Sequence, residues 1–211
     1  MSLETMLQPL DLDDEYSPVR HIKSKPGWYI GSVSAGYIAQ LAAAHEYRAI
    51  ALIPVLQRAV ADRQSWKIPI DSSIKDLLGW HRNTWPAVLG ALKAIGAVKI
   101  KRDGRLVVAT CRKLCDRDWQ FYPYTLPIEP YLQAVREAPT AGLAIMVAQR
   151  QARLQGHNLV ELKPHLQAPG MERHMASRAC RALQAAGLLH IQPAAGLQVR
   201  VALPERKRKS T

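Results

Sequence analysis

The chain has 211 residues, with 29 Lys and Arg against 17 Asp and Glu, a net charge of +12 and a pI near 9.9. That length holds two domains of about 100 residues each, and that charge suits a polyanionic partner. Three cysteines without framework spacing point to a reducing cytoplasm. The acidic start lacks the basic n-region of a signal peptide, and the most apolar stretch, Tyr37 to Val60, is interrupted by His45, Glu46, Arg48 and Arg58, which excludes a membrane span.

Residues 1–33 read as an arm. Residues 1–18 hold five acids and no Lys or Arg, which leaves 29 basic against 12 acidic residues, +17, from residue 19 onward. Arg20, His21, Lys23 and Lys25 form a basic segment ahead of a turn at Pro26-Gly27. The pattern from Ser34 to Arg63 is helical, with Pro54 expected to kink or split the helix. Trp66 to Ile70 alternates as a short strand. Asp71 caps a helix ending near Gly79, and a turn at Trp80-His81-Arg82 leads into a third helix. Asn83 or Thr84 caps that helix, and Pro86 falls in its first turn. Strands at 98–101 and 105–109 complete a first unit over 34–110.

Residues 111–139 read as a linker, extended and aromatic around Phe121, Tyr122 and Tyr124, with a short helix from Glu129 to Glu137. Its aromatic cluster suits either stacking on unpaired bases or docking of two domains. A second unit spans 140–204. It has a helix from Thr140 to Leu154, a second from Leu159 to Leu166, a turn at Ala168-Pro169-Gly170, a third helix from Glu172 to Ala186 and a hairpin. Residues 205–211 are a basic tail.

The two units are copies. Leu92 to Ile100 recurs 91 residues later as Leu183 to Ile191, each a helix end, a glycine and an apolar strand followed by a turn and a second strand. In the first third helix Trp85, Val88, Leu89, Leu92 and Ile95 form the core face. Their counterparts are Ala176, Ala179, Cys180, Leu183 and Ala186, which makes Cys180 a small core residue. Trp66 and Trp85 are likewise expected in the core.

The opposite faces differ. The second helix presents Arg173, His174, Ser177, Arg178, Arg181 and Gln184, where arginine forks match guanine edges or phosphates and glutamine matches adenine. The first presents Arg82, Asn83, Pro86, Ala87, Gly90 and Lys93, mostly too small to read bases, suited to close approach to a backbone or to a dimer contact. Its hairpin compensates with Lys99, Lys101, Arg102 and Arg105. The expectation is a division of labour, with the second helix in the major groove and the first unit gripping backbone or minor groove through its wing.

In this helix–glycine–hairpin spacing, over about 70–109 and 140–202, the chain resembles bacterial tandem winged helix-turn-helix proteins. That group includes plasmid replication initiators, transcriptional regulators and the small subunits of chromosome-condensing complexes, the last usually acidic and so unlike this chain. The resemblance implies an α+β, mostly helical fold of two winged helices in tandem. It also implies a cytoplasmic, sequence-specific, double-stranded DNA-binding regulator of transcription or replication on a bacterial genome or mobile element, as a possible homodimer and without a membrane partner. The rival readings are a subunit of a larger nucleoprotein assembly, such as an RNA-guided complex, and a protein-binding adaptor.

Cys111 and Cys115 form a CxxxC pair, but no set of four ligands has zinc spacing, and no phosphate-binding glycine motif occurs. The chain is therefore read as non-catalytic, with neither metal nor cofactor.

Overall fold

A computed structural model describes residues 28–104, 106–115, 121–167, 171–192 and 198–202. The acidic arm, the basic segment at 20–25, Arg105, the Ala168-Pro169-Gly170 turn, the tip of the second hairpin and the basic tail lie outside the described residues. The fold is α+β and mostly helical, with three small antiparallel sheets.

β1 (Trp28–Ser34) runs straight into α1 (Ala35–Ala43), where Ser34 Oγ accepts from the Gly36 N–H at 3.2 Å. The expected break at Pro54 is displaced. His45, with a left-handed φ of 56°, separates α1 from the next helix, and Glu46 N–H bonds back to Leu41 O at 2.8 Å. α2 (Tyr47–Arg63) continues unbroken through Pro54. All residues from Ala49 to Gln57 are buried, so packing on every side outweighs the backbone bond that proline cannot make.

β2 (Lys67–Pro69) leads to α3 (Ser72–Leu78), capped by Asp71, whose carboxylate accepts from Ile74 N–H and from Ser73 Oγ at 2.5 Å. Gly79, at φ 61°, closes α3 and starts the turn into α4 (Thr84–Ala94). β3 (Lys99–Asp103) and β4 (Leu106–Thr110) follow, and the sheet order is β2-β4-β3.

The segment read as a linker is structural. After a 3-10 turn at Lys113–Cys115 come β5 (Phe121–Pro127) and α5 (Ile128–Glu137), and β5 pairs antiparallel with β1. Tyr124, Leu126, Tyr131, Leu132 and Val135 from this stretch are buried, which an extended tether could not achieve. The Arg150 guanidinium lies 4.7 Å from the centre of the Tyr122 ring, so Tyr122 and Tyr124 serve the protein's own packing.

α6 (Ala141–Gln155), β6 (Leu159–Glu161), α7 (Lys163–Gln167), α8 (Arg173–Ala185), β7 (Leu189–Ile191) and β8 (Gln198–Val201) complete the chain, with sheet order β6-β8-β7. The helix expected over 159–166 is therefore a strand followed by a short helix. Val160 points inward between exposed Leu159 and Glu161, a period of two, and pairing with β8 satisfies its backbone.

One continuous buried cluster spans both halves. α2 and α6 cross where Gly142 meets Ala51, so closely that a Cβ on residue 142 would stand 2.9 Å from Ala51 Cα. Tyr131 Oη donates to Ala51 O at 2.8 Å beside the crossing. Two buried glutamines tie these helices to the β1–β5 pair. Gln57 Nε2 donates to Ser32 O at 2.8 Å and Leu114 O at 2.6 Å, and its carbonyl accepts from Tyr124 Oη. Gln149 clasps Thr125 from both sides, accepting from its N–H at 2.7 Å and donating to its carbonyl at 2.8 Å. Every polar atom of an otherwise costly buried amide is thus used in organising the strands and the 3-10 turn between them.

Candidate nucleic-acid interface

α8 is amphipathic in the way its sequence requires. Ala176, Ala179, Cys180, Ala182 and Leu183 are buried, leaving a basic stripe outside. Glu172, extended in the N-cap position, pairs with His174 through Oε2 and Nδ1 at 3.1 Å whenever the imidazole is protonated, and both side chains are exposed. With Arg173, Ser177 and Arg181 they line a shallow, open stretch of surface at the start of the helix. This surface mixes cationic forks, a hydroxyl and an imidazole, groups that hydrogen-bond base edges and phosphates.

Two residues expected on that surface are engaged elsewhere. Arg178 Nη2 donates to Glu137 O at 3.0 Å, at the C-terminal end of α5, where a cation also meets the helix dipole favourably. Gln184 Oε1 accepts from Ile191 N–H at 2.9 Å and fastens α8 to β7. The neighbourhood of the α8 N-terminus also includes the start of α2. Burial, and after it the Glu172 carboxylate, push the Tyr47 phenol pKa up.

On α4, Trp85, Val88, Leu89 and Leu92 face the core, and the Trp80 and Trp85 rings pack 5.6 Å apart beneath the turn. Trp66 is half-buried against the same core. Arg82, Asn83, Pro86, Ala87, Gly90 and Lys93 are all exposed, and a Cβ on Gly90 would meet nothing within 4 Å. Asn83 uses its backbone N–H, which donates to His81 Nδ1 at 3.3 Å.

The β3–β4 hairpin places its lysines by register. Lys99 pairs with Thr110, as does Lys67 from the other side, and Lys101 pairs with Val108, itself opposite Pro69. Lys67, Lys99 and Lys101 therefore share the outer face of the sheet, all exposed, while Ile68 and Ala109 face inward. Arg102 is exposed beside them. Lys67 was not anticipated. The alternation Lys67-Ile68-Pro69 hinted at an outward lysine, but its place beside the β3–β4 hairpin depends on a pairing 43 residues away. In the second sheet the same row is Leu159, Arg200 and His190, all exposed.

Cys180 is enclosed by apolar neighbours, and burial pushes its thiol up to about 12, which leaves it no nucleophilic thiolate near neutrality. Cys111 is buried as well, its Sγ donating to Ala109 O at 3.6 Å. Among the described residues no three His, Cys, Asp or Glu side chains converge to hold a metal ion, and no helix is long and apolar enough to cross a membrane.

No protein-family model matches the chain, and neither a curated protein nor a solved structure matches it.

Proposed function

We propose that this chain binds double-stranded DNA through two winged helix-turn-helix units, one formed by α2 to β4 and the other by α6 to β8. Each unit has the order helix, strand, helix, helix, hairpin, and in each the first strand lies beside the last. That arrangement leaves the third helix on the surface, with the hairpin as a wing next to it. The observation that carries the reading is the exposed Arg173, His174 and Arg181, with half-buried Ser177 among them, on the third helix of the second unit, on a chain of charge +12. In this reading α8 enters the major groove, while Lys99, Lys101 and Arg102 hold backbone from the first unit's wing. Control of transcription or replication on a bacterial genome or mobile element is the use that such a binder serves.

Selection of the full chain against a random duplex library, followed by salt titration of the bound sequences, tests the proposal. A single enriched motif held far more tightly than competitor DNA is the expected result. Binding without any enriched motif that vanishes at physiological salt would favour a subunit of a larger nucleoprotein assembly. No binding at any salt would favour a protein-binding adaptor.

A further inference from the structure

The internal repeat extends beyond the two units and pairs with itself. β1 and α1 begin at residues 28 and 35, and β5 and α5 begin 93 residues later, at 121 and 128. In the β1–β5 ladder Trp28 faces Pro127, Ser34 faces Phe121, and the central partners are Gly31 and Tyr124, themselves 93 residues apart. An antiparallel pair whose middle residues are copies of one another has a local two-fold axis through its centre. Gly31 is needed there because any Cβ would run into the Tyr124 ring.

Two further observations lie on the same axis. On the 92-residue spacing of the buried Gln57 and Gln149, Ala51 and Gly142, in contact where α2 crosses α6, fall one residue short of being copies, so the crossing lies close to the same axis. The buried glutamines repeat too: Gln57 reaches Ser32 O, and Gln149 reaches Thr125 O, a residue 93 positions beyond Ser32. Strand pair, helix crossing and amide clasps thus follow one approximate dyad.

The surface elements lie toward one end of that axis. Tyr47, at the start of α2, feels the carboxylate of Glu172 at the entry to α8. Near the start of α6, Arg136 Nε donates to Leu77 O at 2.8 Å, at the end of α3, while the adjacent Glu137 carbonyl holds Arg178 of α8. Both helix-turn-helix corners therefore flank the N-terminal ends of α2 and α6. The β1–β5 ribbon meets the same helices further along, at Gln57 and Gln149.

We infer that the chain is a fused dimer of winged-helix units, and that one molecule occupies two half-sites of opposite polarity on a single duplex, α8 on one and the α4 unit on the other. This inference rests on the DNA-binding reading. A closed symmetric dimer presents the same docking geometry twice, rotated by half a turn, and on DNA that arrangement places half-sites about 10 base pairs apart or a multiple of that spacing. Here the geometry is duplicated while the chemistry is not. Backbone contacts should follow the dyad, and base contacts should be confined to the α8 half.

The test uses the full chain on the best-retained duplex from a random library. Hydroxyl-radical protection and phosphate-ethylation interference are mapped on both strands, and the mass of the complex is measured by sedimentation. The expected result is one chain per duplex with two protected blocks. The pattern on one strand of the first block should mirror that on the other strand of the second, with base-methylation interference in one block only. The charge-reversal pair R173E and R181E should erase one block, and K99E with K101E the other, each raising Kd at least ten-fold. All four positions are exposed, and circular dichroism verifies that the variants fold.

Two chains per site, a single block, blocks of the same polarity, or both variant pairs erasing the same block would overturn the inference while leaving DNA binding intact. Retention of no duplex at all would overturn the DNA-binding reading and this inference with it.

Discussion

Gly142→Ala adds one methyl group at the crossing of α2 and α6. Its carbon would stand 2.9 Å from Ala51 Cα and 3.1 Å from Ala51 Cβ, closer than carbon atoms pack. The third neighbour, Tyr131 Oη at 3.2 Å, is fixed by its bond to Ala51 O, so no flexible chain end can move aside. Overpacking of this kind costs about 1–3 kcal/mol. Helix propensity returns at most about 1 kcal/mol, and less here because residue 142 lies in the first turn of α6. A net loss of about 1–2 kcal/mol lowers Tm by roughly 2–8 °C for a chain of this size. Gly90→Ala is the internal control. It makes the same substitution in a helix interior with nothing within 4 Å, and it should gain about 0.5–1 kcal/mol. Urea unfolding followed by tryptophan fluorescence and far-UV dichroism reads both variants. If Gly142→Ala proves as stable as Gly90→Ala, the two helices are not in backbone contact and the shared core is wrongly described.

The remaining predictions separate reading from holding. Arg181→Ala should relax sequence preference at a cost of about 1–3 kcal/mol in competition binding, whereas Arg178→Ala, whose guanidinium is committed to Glu137 O, should leave preference unchanged. Equal losses would place both on bases. Lys101→Ala should weaken binding to every sequence alike and lower the slope of log K against log salt by about one, measured by anisotropy at several salt concentrations. Cys180 provides a pH signature. The unfolded thiol ionises near 9 and the native one near 12, so the native state keeps its proton longer. The stability this contributes is complete below about pH 9 and is lost as pH rises toward 12. Cys180→Ala should flatten that decline in denaturation midpoints, and an unchanged slope would mean the thiol is not buried.

Local chemistry was legible where a single residue determines it. Gly96 and Gly187 both adopt left-handed φ, at 73° and 71°, at the helix ends read from the repeat. Asp71 and Gly79 bracket α3 as their types require. Pro54 misled because its usual effect assumes a helix exposed to alternatives, whereas α2 is enclosed on all sides from Ala49 to Gln57. Leu159 to Leu166 carries apolar spacing compatible with a helix, and only the unpaired edge of β8 decides that Leu159–Glu161 is a strand. The β1–β5 pair was invisible because its partners are about 90 residues apart and one sits in what reads as an arm. On the candidate interface, exposure was readable from helical periodicity. The diversion of Arg178 to a carbonyl 41 residues away was not, nor was the arrival of Lys67 beside the β3–β4 hairpin. Both depend on tertiary neighbours that no local pattern encodes.

Joining two copies in one polypeptide has a consequence for how such a molecule can change. In a homodimer every substitution is made twice, so a lysine added to one wing is added to both, and a side chain suited to one half-site must be tolerated at the other. Covalent duplication lifts that constraint while the close pairings at Gly31–Tyr124 and Ala51–Gly142 keep the halves in register. Each half is then free to specialise. The present division, with lysines on one sheet and arginines on the opposite half's helix, is a distribution of charge that two identical subunits could not hold.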